Sequence, residues 1–109
     1  MSTLPSDYLA LGLRPDQGIN LLESELLAEK ASSLGHHGRR VEAAMARLRE
    51  HDAAGGSAEA RLALVKQAAR DVWAYFVQRE LCGFRDHRDI IRHNAIPQEV
   101  LARLGAIEK

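Results

Sequence analysis

The sequence predicts an all-α protein: a small antiparallel helical domain built on one long central helix and paired as a homodimer. Three observations predict it. Apolar residues recur at helical spacing through residues 21–53 and again through 57–82. No segment alternates with the two-residue period that a half-buried strand requires. Glycines 35, 55, 56, 83 and 105 stand where the helical patterns stop. At 109 residues the chain has the commonest size of a single domain, so residues 1–109 read as one core. A chain of this size buries roughly two-thirds of the surface its unfolded form exposes, enough to fold without disulfide or metal staples.

Residues 1–18 contain Pro5, Pro15, Gly12 and Gly18, which interrupt any helical period, and read as an extended arm whose Tyr8, Leu9, Leu11 and Leu13 dock on the body. Asn20 followed by Glu23 resembles a capping box. A helix over 21–34 follows, with Leu22, Leu26 and Leu34 on its stripe and Gly35 as its terminator. His36, His37 and Gly38 read as a turn before a second helix, roughly 39–53, carrying Val41, Ala44, Met45 and Leu48. Ala54, Gly55 and Gly56 end it.

Ser57 is a natural N-cap for the long helix, 57–82, with Glu59 in the first turn where the helix dipole favours negative charge. Placed at about 100° per residue, Leu62, Leu64, Val65, Ala68, Ala69, Val72, Trp73, Tyr75 and Phe76 fall within one half of its circumference. That exceeds the roughly 100° stripe of an ordinary surface helix and implies packing on two sides. The expected length, about 39 Å, also exceeds the roughly 34 Å diameter of a globule this size. A second copy covering the excess apolar surface is the expected remedy. After Gly83, Asp86 and Asp89 are placed to cap a helix carrying Ile90 and Ile91. Pro97 suits the start of another, with Val100, Leu101 and Leu104 inward and Gly105 closing it.

Lysine plus arginine and aspartate plus glutamate both number 15. The whole chain therefore exerts no net pull on nucleic acid or anionic membrane. Residues 1–35 carry 2 basic and 5 acidic groups, and the remainder 13 and 10, a mild dipole. The tail IPQEVLARLGAIEK reads like the first helix and turn of a helix-turn-helix unit, but only four residues follow Gly105. A recognition helix does not fit there, so nucleic-acid binding stands third among the functional classes. No apolar run approaches the roughly 18 residues of a membrane span, and MSTLPSDYLA lacks the pattern of a secretion signal. The lone Cys82 has no partner for an internal disulfide, which suits a reducing compartment. A cytoplasmic location is the expectation.

The densest polar stretch is ELCGFRDHRDIIRHN, residues 80–94. With Arg79 it supplies the candidate polar cluster Arg79, Glu80, Asp86, His87, Asp89 and His93. No catalytic assignment follows from it. The spacing of Cys82, His87 and His93 matches none of the common zinc patterns, so no metal is expected. Cys82 sits at a helix C-terminus, whose negative dipole end disfavours a thiolate. No phosphate-binding or dinucleotide-binding loop is present, and no cofactor is expected. Arg61, Arg79 and Glu80 fall inside the apolar arc of the long helix, where a charge needs either a partner or an exit to water. Arg79 and Glu80 paired with Asp86 or Asp89 would fix the angle of the C-terminal segment.

The stretch DVWAYFVQRELCGFRDHRDIIRHNAIPQEVLARLGA, Asp71 to Ala106, resembles short bacterial proteins of a domain-of-unknown-function family. The resemblance covers the C-terminal third, implies a small helical bacterial protein and assigns no activity. The functional expectation is therefore a non-enzymatic, homodimeric interaction or regulatory module with a protein partner. A small ligand-binding protein or enzyme using the polar cluster is the alternative.

Overall fold

A computed structural model describes residues 15–106, and every regular element among them is helical. Four helices follow in order: α1, Pro15–Ala54; α2, Ala58–Leu81; α3, Arg88–His93; and α4, Gln98–Leu101. The chain divides into two compact units, residues 1–32 and 33–109.

Helix α1 corrects the expected order at the N-terminal side. It begins at Pro15, where the fixed φ of proline suits a first helical position. The last four residues of the expected arm are thus helical, and its remainder, residues 1–14, lies outside the described residues. The capping-box pair Asn20 and Glu23 falls inside the helix. So does the expected turn at residues 36–38, and 21–34 and 39–53 form one uninterrupted helix. Each interior glycine costs about 1 kcal/mol of helix propensity, which tertiary packing outweighs here. Gly38 lies beside Tyr75 of α2, where a Cβ would stand 3.4 Å from the hydroxyl oxygen, an ordinary van der Waals contact.

In the first unit, the described part of α1 is exposed along residues 20–32. In the second, α1 and α2 form an antiparallel hairpin joined by Gly55, Gly56 and Ser57, with Asp52 beside Arg61 and Arg40 beside Asp71. Gly55 takes φ +67°, a left-handed conformation that costs other residues about 1–2 kcal/mol. Gly56 N–H reaches back to the His51 carbonyl. A Cβ on Gly56 would fall 2.3 Å from His51 Nε2, so only glycine lets the imidazole lie beneath this turn.

Helix α2 runs between Ser57 and Cys82 as caps, and the Ser57 hydroxyl oxygen accepts from Ala60 N–H at 3.1 Å. Its end is a Schellman motif: Phe84 N–H bonds Arg79 O, Gly83 N–H bonds Glu80 O, and Gly83 holds φ +96°. Helix α3 closes the same way, with Ile96 bonding Ile91 O and Ala95 bonding Arg92 O, although the left-handed residue is Ala95.

The core is a zipper of helical spacings. Val41, Ala44, Met45 and Leu48 of α1 face Val65, Ala68, Ala69, Val72 and Phe76 of α2, and Ile96 and Val100 join from the C-terminal segment. Ile90, Ile91, Leu101 and Leu104 pack around them. Val41, Val65, Val72 and Val100 are fully enclosed, each contributing roughly 1.5–3 kcal/mol by leaving water. The broad apolar arc of α2 is thus mostly covered within the chain, by α1 and by the C-terminal segment. With that cover the arc does not need a second copy, and Leu62 and Trp73 remain its large exposed members.

Candidate functional site

The expected polar cluster lies where α2 ends, and its geometry follows from the turn that ends it. The Schellman motif at Gly83 reverses the chain so that residues 84–88 pass back beside the last turn of α2. His87 then stacks on Phe76, ring centroids 4.1 Å apart and 4° from parallel. Arg79 Nε donates to His87 Nδ1 at 3.1 Å, and His87 Nε2 lies 2.9 Å from Glu80 Oε2. With Nδ1 accepting, the proton belongs on Nε2 and is donated to the Glu80 carboxylate, so the two partners select one neutral tautomer.

Arg79 also donates to the Asp86 backbone carbonyl at 3.1 Å, and its guanidinium lies 5.2 Å from the Phe84 ring centre and 5.8 Å from that of Tyr75. Both distances are within cation–π range. The Asp86 carboxylate turns the other way, accepting from Arg88 N–H at 3.1 Å and from Arg88 Nη2 at 2.7 Å. These side-chain and backbone bonds hold the Asp86 carboxyl well below the usual carboxylate range.

The structure thus brings Arg79, Glu80, the Asp86 backbone and His87 together, and separates the other two candidates. Asp89 pairs with Arg92 on the exposed face of α3. His93 lines a different groove, of about 550 Å³, with Met45, Ala46 and Arg49 of α1. Phe76, Tyr75 and Phe84 complete the cluster without having been expected there. Their signal was available: 75, 76 and 79 are spaced as neighbours on one helical face. Among the described residues no group of three or more histidine, cysteine, aspartate or glutamate side chains is placed to hold a metal ion.

Two further networks tie the hairpin. Arg61, expected inside the apolar arc, makes a two-pronged contact with Glu99, 2.6 and 2.7 Å, and donates to Asp52 at 2.8 Å, so one guanidinium joins α1, α2 and α4. These bonds lower the Asp52 and Glu99 carboxyls and raise the Arg61 guanidinium still further. Asp71, near the middle of α2, is buried; its Oδ1 lies 3.2 Å from Arg40 Nη2 and accepts from Gln67 Nε2 at 3.2 Å. Arg70 donates to the Gln67 carbonyl oxygen at 2.8 Å and so orients that amide.

The carboxylates set the acid limit of the fold. Their folded-state pKa values are depressed, so the stability they confer is present above the unfolded carboxylate range, about 4, and is lost as pH falls through the folded values. Circular-dichroism melts are expected to give a midpoint that is nearly flat from pH 7 to 5 and drops below about pH 4. Arg61→Ala should melt lower at pH 7 and lose less on acidification, since Asp52 and Glu99 then titrate normally. Parallel acid profiles for the variant and the parent would remove Arg61 as the cause.

Helices with a conventional core, and polar side chains bonded to one another across helix ends, define a small all-α protein. The chain belongs to a family of unknown function, DUF6665, which matches residues 1–109 and so extends well beyond the C-terminal third that carries the resemblance noted from the sequence. No curated protein and no solved structure matches it. No helix among the described residues is long and apolar enough to cross a membrane.

Proposed function

We propose that the chain is a non-enzymatic helical interaction module that works as a homodimer, residues 1–109 acting as one domain. The observation that carries this reading is the leucine group on α1: Leu21, Leu22, Leu26 and Leu27 are 48, 54, 52 and 66 % exposed. Four large apolar side chains within seven residues of one helix are exposed, with Leu22 and Leu26 one turn apart on the same face. Exposed apolar surface of this kind marks an association surface. This moves the proposed self-association from the arc of α2, which its own chain mostly covers, to the N-terminal half of α1.

What favours a module over a small enzyme or ligand-binding protein is the state of the polar cluster. Arg79 and Glu80 both bond His87, one on each ring nitrogen, and the Asp86 carboxylate is held by Arg88. The same reading places the protein in the cytoplasm of a bacterial cell, where the lone Cys82 stays reduced. Nucleic acid is not its partner on this reading, because no basic stripe offsets the balanced charge.

Sedimentation velocity over a hundredfold range of concentration tests the proposal. The expected species has twice the 12.1 kDa of one chain. Leu22→Glu with Leu26→Glu should shift it to monomer while leaving helix content unchanged. A monomer for the parent at every concentration would overturn the reading.

A further inference from the structure

We infer that the groove between the middle of α1 and the turn after α3 binds a short peptide by its main chain and its two charged ends. This site is independent of self-association, since every residue it uses lies in the second compact unit. Glu42, Met45, Ala46 and Arg49 recur at helical spacing and so share one stripe of α1, which lines one side of the groove. His93, Asn94 and Ala95 line the other, around a volume of about 550 Å³. Met45 is buried and Ala46 is small, which leaves an apolar floor between two ionic ends.

In contrast to the cluster at the end of α2, the polar groups here are uncommitted. The side chains of Glu42, Arg49 and His93 make no hydrogen bond or ion pair among the described residues. Asn94 Nδ2 donates to the Ile90 carbonyl at 3.0 Å, which fixes the amide and leaves Oδ1 as an acceptor. The groove therefore offers an anion, a cation, an acceptor and an imidazole able to donate. A peptide with free ends presents the complementary set: an ammonium, a carboxylate, an N–H and a C=O. Glu42 and Arg49 stand two turns apart, about 10.5 Å along α1. Three extended residues, at about 3.3–3.6 Å each, span that distance, and a single amino acid does not. Ala95 adds a separate observation. It is the one residue other than glycine at positive φ among the described residues, +50°, whereas Gly83 and Gly105 fill the corresponding places after α2 and α4. Glycine would relieve that backbone, so the chain bears a conformational cost to carry a side chain at the groove wall.

Trialanine with free ends is the probe, added to the full chain and followed by amide NMR shifts and calorimetry. Binding is expected at millimolar concentration, with the largest shifts at residues 93–95 and at the Asn94 side-chain amide. Acetylating the peptide's amine or amidating its carboxylate should each weaken binding about tenfold, the effect of one charge-assisted contact. Arg49→Gln should weaken the free peptide to the same extent and erase the penalty of amidation, and Glu42→Gln should erase that of acetylation. Ala95→Gly should melt no lower than the parent and bind several-fold more weakly. All three variants should keep the parent's circular dichroism, since Glu42 and Arg49 are exposed and the glycine relieves the backbone. Absence of binding, shifts confined to other residues, or equal affinity for the free, acetylated and amidated peptides would overturn the site while leaving the homodimer reading untouched.

Discussion

Replacing Phe76 by alanine is expected to destabilise the fold by about 3–5 kcal/mol, the usual cost of emptying a buried aromatic site. The ring is nearly enclosed, belongs to the core shared by α1, α2 and the C-terminal segment, and carries His87 flat against one face. Its loss opens a cavity and frees the imidazole that holds Arg79 and Glu80 in place. A domain of this size has about 5–15 kcal/mol of stability in total, so the variant should unfold at a much lower urea concentration. His87→Ala removes only the stacked, mostly buried ring and its two hydrogen bonds at the end of α2, and should cost about 1–2 kcal/mol. Equal losses for the two variants would mean that Phe76 acts only through His87, and a loss below about 1 kcal/mol for Phe76→Ala would contradict its place in the core.

Arg40→Ala is expected to cost about 2–3 kcal/mol, more than an exposed arginine ordinarily contributes. The reason is the asymmetry of its pair: Arg40 is 55 % exposed and Asp71 only 5 %. Removing the arginine strands a carboxylate away from water, with the Gln67 amide as its remaining donor among the contacts described. Removing Asp71 instead returns Arg40 to solvent. Asp71→Leu should therefore cost less than Arg40→Ala, and the double variant should cost less than the sum of the two. Urea unfolding of the four proteins gives the coupling directly, and strict additivity would show that the pair does not interact.

The helix at residues 58–81 was legible because its signals agree: a serine cap, a glutamate in the first turn, a broad apolar arc and a glycine just past its C-cap. The C-terminal turns were legible for the same reason, since Pro97 and Gly105 each permit few conformations. Helix α1 was not legible. Local propensity places a break at Gly35 to Gly38, and the packing of Val41, Ala44, Met45 and Leu48 against residues of α2 far along the chain is not encoded locally. Asp71 is a similar case. At about 100° per residue it falls on the polar half of α2, and its burial depends on how far around that helix α1 packs.

The polar cluster was legible as a neighbourhood and not as a set of partners. Nearness in sequence places Arg79, Glu80, Asp86 and His87 at one helix end, but the Schellman turn decides that His87 faces Phe76 while Asp86 faces outward to Arg88. Asp89 and His93, equally near in sequence, leave on other faces of α3. Arg61 meeting Asp52 and Glu99 joins residues 38 positions apart, and no local pattern encodes that pairing.

By itself, then, the sequence determined the helical class, the caps of α2, the proline and glycine that bound α4, and the residues able to fill a core, because each follows from short-range sterics and periodicity. The expected Asp86 and Asp89 cap of α3 is not formed, and His87 takes that place without a side-chain cap bond. Only the tertiary structure decided that α1 is continuous, that the apolar arc of α2 is mostly covered by its own chain, and that the leucines of α1 and Trp73 of α2 stay exposed. Those outcomes depend on which surfaces meet across tens of residues, where packing contributes several kcal/mol and local preference about one.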